Sequence, residues 1–179
     1  MQEYFNKAQI VDKEGQARPL VAKEEKIVVT GKTPADFVSR GITPMQSASL
    51  LLILVAGISI YGIRRGKTLW GIDLILFLVA GMAGCILAFL ALFSQHPAVS
   101  PNYILFVFHP FHLFCLPFML SRVRKRGISR YMLVDFVVLT LFIGLWTIIP
   151  QRIPPAVLPL ALCLLIRSAS NLILTYKRK

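Results

Sequence analysis

One run limits what this chain can fold into more than any other feature. Leu69–Phe93, LWGIDLILFLVAGMAGCILAFLALF, carries a single charged residue, Asp73. A bilayer core about 30 Å thick needs roughly 17–25 mostly apolar residues per helix. Four further stretches meet that requirement: Met45–Ile63, Asn102–Leu120, Tyr131–Ile149 and Pro155–Leu174. None alternates or follows the 3.6-residue pattern of a water-soluble core. With 56% hydrophobic residues, 16% charged residues and a mean hydropathy of +0.68, the composition excludes an ordinary soluble domain and a disordered chain. The expected fold is an all-α membrane protein. It is a five-helix transmembrane bundle over 45–179, preceded by a short extracytoplasmic β-rich tail over 1–44.

The net charge of +12 suggests nucleic acid until the charges are placed. The first connection holds Arg64, Arg65 and Lys67, and the third holds Arg122, Arg124, Lys125, Arg126 and Arg130. The C-terminus adds Lys177, Arg178 and Lys179. The opposite loops contain only Arg152, so eleven positive charges face one. The positive-inside rule then puts the C-terminus in the cytoplasm and the N-terminal tail outside. Basic loops of this kind are what membrane topology requires, so no nucleic-acid partner is expected.

The tail differs in kind, with seven basic and six acidic residues in its 44. Ala8–Asp12, a turn at Lys13-Glu14-Gly15, then Pro19–Ala22 and Lys26–Thr30 read as short antiparallel strands. So short a segment cannot bury a core of its own. A basic stretch followed by an apolar one, as in a signal peptide, is missing near Met1, yet the charge rule exports this tail. The expectation is that an exported domain precedes Met1 in the intact protein.

Phe93-Ser94-Gln95-His96-Pro97, then Pro101-Asn102-Tyr103 and His109-Pro110-Phe111, resembles a pattern in the Lnb-like envelope proteins. These are named for a lipoprotein acyl-transferring enzyme of Gram-positive bacteria. Phe5-Asn6-Lys7-Ala8, Asp12-Lys13-Glu14-Gly15 and Arg18-Pro19-Leu20-Val21 resemble the segment that leaves their exported domain. The resemblance implies a five-helix domain at the bacterial inner membrane. It would anchor an exported, lipoprotein-acyl-transferring domain, with membrane lipids and lipoproteins as partners. Catalytic residues of that family are assigned to the exported domain, so none is carried over.

His96, His109 and His112 all fall on the outer half of this topology, with Asn102 beside them as a candidate polar site. His109 and His112 are one helical turn apart, a spacing that suits metal or haem ligation. A metal would want more ligands, and the expected topology leaves no carboxylate at outer depth. A haem would want histidines on facing helices. Interior hydrogen bonding is therefore the plainer reading, with no metal and no cofactor, and a His96–Asn102 bond would fold the outer loop. Pro110 and Pro117 should bend the third helix rather than end it.

On the inner side, Asp73 and Asp135 each stand about one turn into a helix. Arg167 lies about 15 Å from Lys177 at 1.5 Å per residue, and it can reach either aspartate. Buried charges pair by default, so Asp73, Asp135 and Arg167 form a candidate ion pair, with Ser170 and Asn171 extending its polar face. The alternative is a small transporter or channel using those three groups. Ala80, Gly84 and Ala88 make a small-residue stripe for close helix packing. Cys85, Cys115 and Cys163 read as buried hydrophobes. The sequence shows no nucleophile elbow, phosphate loop or H-E-x-x-H, and no catalytic residue is recognisable in it.

Overall fold

The computed structural model describes residues 8–11, 15–19, 41–94, 101–125, 127 and 129–177. The chain forms two units, Met1–Gly41 and Ile42–Lys179. In the first, β1 (Gln9–Val11) pairs antiparallel with β2 (Ala17–Pro19), Gln9 opposite Pro19 and Val11 opposite Ala17. Gly15, in the connection, has φ +82°, a conformation that side chains resist and glycine accepts. The partner strand starts two residues earlier than the sequence pattern suggests. The strand expected at Lys26–Thr30 lies outside the described residues.

In the second unit, α1 (Pro44–Arg65) begins at a reciprocal cap. The Gln46 amide donates to Thr43 Oγ1 (3.2 Å), and the Thr43 amide donates to Gln46 Oε1 (2.9 Å). Two orphan donors are thereby satisfied, and Pro44 at the first position costs nothing. Gly66 ends the helix at φ +61°, and the following Lys67 amide returns to the Gly62 carbonyl. This left-handed stop is available to glycine at little steric cost. Helix α2 (Trp70–Phe93) follows. Ile75, Val79, Met82, Ile86, Phe89 and Phe93 are exposed along it. That apolar face suits lipid and would aggregate in water.

The third apolar run departs from expectation. Rather than one bent helix over Asn102–Leu120, it comprises a 3-10 turn (Tyr103–Phe106), a single turn α3 (Phe111–Phe114) and α4 (Leu116–Arg124). The two arms meet at 75°. Pro110 and Pro117 each withdraw an amide donor and obstruct a preceding carbonyl. Close packing adds to this. A Cβ on Gly81 would sit 2.6 Å from the Leu113 amide nitrogen, and one on Gly84 would sit 2.6 Å from the His109 carbonyl carbon. The stripe of small residues on α2 thus receives backbone from the broken segment.

Helix α5 (Arg130–Gly144) is capped by Ser129 and continues as turns through Ile148. It is about 22 Å long at 1.5 Å per residue. Helix α6 (Val157–Tyr176) packs against α1 and α5 and also touches α2. It is the most enclosed of the long helices, with 56% of its apolar stretch buried against 22% for α1 and for α2. Phe77, Met119, Met132, Leu139, Ala161 and Leu164 join α2, α4, α5 and α6 in one core. Helices α1, α2 and α6 are long and apolar enough to cross a membrane, and the broken segment makes a fourth crossing if its arms count as one.

Candidate functional site

Most of the buried polar side chains gather around α6, in two groups set side by side. Arg167 organises the first. Its Nε and Nη2 donate to the two carboxylate oxygens of Asp73 at 2.6 and 3.1 Å, and Nη1 donates to Ser59 Oγ at 3.0 Å. One turn on, Asn171 Nδ2 donates to Asp73 Oδ2 at 3.0 Å. Arg167 and Asp73 are almost completely shielded from solvent, at 1% and 0% exposure. The planar guanidinium fits a carboxylate at two points, so the group ties α1, α2 and α6 together. Ser170 is buried near it, with no hydrogen-bond partner among the described residues.

The second group begins at the neighbouring position. Ser168 Oγ donates to Asp135 Oδ2 at 2.6 Å. The other carboxylate oxygen, Oδ1, faces His112 Nδ1 at 3.9 Å and His109 Nε2 at 4.0 Å, and it has no hydrogen-bond partner among the described residues. His112 Nε2 donates to the Val107 carbonyl at 2.9 Å. That bond selects the tautomer whose Nδ1 is an acceptor, and the Tyr131 hydroxyl donates to it at 2.7 Å. The two imidazoles stack with centroids 3.9 Å apart, and Phe77 closes one side of His112 edge-on. The stacked rings belong to one short segment and cannot bracket a porphyrin from opposite faces. Tyr131 also lines a cleft of about 820 Å³ with Arg122 and Arg130.

These positions correct the expected depths. The histidines were assigned to the outer half and Asp135 to the inner side, within reach of Arg167. Here Asp135 stands against the histidines, at one level of the bundle with them, while Arg167 takes Asp73, one of the two acids expected within its reach. Along a straight helix, His112 would lie about 18 Å from the basic end at Arg124. The 75° break turns α4 aside, so that rise does not separate His112 from Asp135. The reason for discounting a metal, the lack of a carboxylate at the histidines' depth, disappears with the straight helix.

Asn102 serves elsewhere. It caps the 3-10 turn through Ile104 (3.1 Å) and accepts from Gln151 Nε2 at 3.5 Å, while Gln151 Oε1 accepts from the Tyr103 amide at 2.7 Å. His96 lies outside the described residues. Sequence reasoning missed Ser59, Tyr131, Ser168 and Gln151. Ser59 and Ser168 were detectable as hydroxyls inside apolar runs, where a polar group wants a partner.

No curated protein and no solved structure matches the chain. The family model described as the Lnb transmembrane domain matches residues 36–179. That range takes in every described helix and every residue of both polar groups. With the match extending over most of its length, the chain belongs to the Lnb transmembrane-domain family.

Proposed function

We propose that this is a five-crossing membrane domain of a bacterial cell-envelope protein, holding an exported domain at the inner membrane and presenting lipid or lipoprotein to it. The N-terminus lies outside and the C-terminus in the cytoplasm, and any acyl transfer resides in the exported domain. The observation that carries this reading is the match of residues 36–179 to the Lnb transmembrane domain.

The crossings are α1, α2, the broken segment 103–124, α5 with its following turns, and α6. Contacts at the two ends support this count. Arg124 stacks over Trp70 at 4.2 Å, and Thr68, Gly127 and Thr175 border one small cavity. Both sets gather the basic connections and the C-terminal end at one face. Gln151 joins Asn102 and Tyr103, gathering the poorly charged loops at the other. An apolar groove of about 360 Å³, lined by residues such as Phe106, Val138, Leu141 and Leu145, has the chemistry of an acyl-chain rest. The alternative of a transporter working through Asp73, Asp135 and Arg167 is disfavoured, because Arg167 holds Asp73 by both oxygens and reads as a structural tie.

An antibody against the C-terminal tail tests the reading on the native protein. The expected product is much larger than the 20.1 kDa of this chain, with an external part that protease removes from intact spheroplasts. A native product of 20.1 kDa would overturn the anchoring role.

A further inference from the structure

We propose that His109, His112 and Asp135 form a binding site for one divalent transition-metal ion of the zinc class, buried among the helices. Each residue offers a donor atom, and the three atoms lie within 4.8 Å of one another. Ligands that hold one ion at about 2.0–2.1 Å stand roughly 3.3–4.2 Å apart. Asp135 Oδ1 is 3.9 and 4.0 Å from the two histidine nitrogens, too far for hydrogen bonds and within the range for a shared ion. The two imidazole donor atoms also lie within 4.8 Å of each other, and His109, at 19% exposure, is the member of the three with most room to turn.

The surroundings are those of a prepared site. Metal-bound histidine commonly donates its second ring nitrogen to a carbonyl, which fixes the ring and its tautomer. His112 does this with Val107. Ser168 occupies Asp135 Oδ2 and so orients the carboxylate, leaving Oδ1 buried and unpartnered among the described residues. His109 Nδ1 is in the same condition. An uncompensated carboxylate in such a place costs several kcal/mol, and Arg167 is committed to Asp73. A divalent cation offsets that charge.

Two imidazoles with one carboxylate favour zinc, cobalt or ferrous ions over magnesium and calcium, which want oxygen cages. The Tyr131 hydroxyl must turn aside, because it donates to the lone pair that the ion would take. Three protein ligands leave a fourth position open.

The test uses the full chain with an affinity tag free of histidine, purified in detergent and stripped with chelator. It is then loaded with Zn²⁺ or Co²⁺, gel-filtered, and its bound metal counted by mass spectrometry. The expected result is one ion per chain, with cobalt giving the visible bands of a nitrogen–oxygen site. His109→Ala and Asp135→Asn should each weaken retention by roughly tenfold or more, the scale of loss that even outer-shell changes cause. Tyr131→Phe should retain the ion. Asp135→Asn conserves shape and the Ser168 contact, so it carries the test if His109→Ala fails to fold. A wild-type chain that elutes without metal, or equal retention in wild type and a folded variant, would overturn the proposal.

Discussion

The two polar groups on α6 are built from similar parts and end in opposite states. Around Arg167, a buried acid meets a buried base at hydrogen-bond distance on both oxygens. Around Asp135, a buried acid faces two imidazoles at 3.9–4.0 Å with one oxygen unpartnered among the described residues. The first arrangement holds three helices in register. It leaves only neutral atoms, Ser170 Oγ and Asn171 Oδ1, unpartnered among the described residues. The second leaves a carboxylate oxygen in that state, in a protein interior that satisfies most polar atoms. Adjacent residues on one helix, Arg167 and Ser168, serve the two because successive side chains point about 100° apart, at 3.6 residues per turn.

The contrast predicts different responses to mutation. Arg167→Leu leaves Asp73 buried and unpaired, which should cost about 3–5 kcal/mol. Changing Asp73 and Arg167 together to leucine should recover most of that loss in denaturant unfolding of the detergent-solubilised chain. Equal losses for single and double variants would show that the pair does not act as a unit. Next in size is Gly84→Ala. Its methyl would meet the His109 backbone at 2.6 Å, so overpacking should cost about 1–3 kcal/mol. Gly57→Ala, with nothing within 4 Å of the added carbon, is the control, and matching effects would deny that α2 cradles the broken segment.

Tyr131→Phe removes one hydrogen bond to His112 and should cost about 1 kcal/mol, read as a small shift in Tm. A collapse of the fold would move Tyr131 into the structural class with Arg167. The smallest loss belongs to Asp135→Asn. Without added metal it should leave stability unchanged or raise it, because it removes a buried carboxylate charge that no hydrogen bond to Oδ1 offsets among the described residues. A loss on the scale of Arg167→Leu would erase the contrast between the groups.

The limits of the long helices are encoded in the residues that make them. Thr43-Pro44-x-Gln46 starts α1, Gly66 stops it, and the run after Leu69 has no competing structure available in lipid. The small-residue stripe on α2 was legible as a packing surface, but its occupant was not. A stripe states how close something comes, not what comes. The third run was misjudged for a related reason. Two prolines in an apolar stretch are compatible with a kink or with a break, and the choice depends on whether neighbours satisfy the freed backbone groups.

The candidate site divides along the same line. That Arg167 needs an acid follows from burial alone, a one-residue argument. Which acid it takes is decided across 94 positions of sequence, by helix packing that no local pattern encodes. Apolar length and charge-free runs are local properties, and from them the sequence alone determined a helical membrane domain and, closely, the extents of its long helices α1, α2 and α6. Depth is a property of the whole path, and counting residues measures it only along a straight helix. The 75° break made that count fail. The tertiary structure alone decided that Asp135 meets His109 and His112, and thereby which polar residues lock the bundle and which are left able to bind.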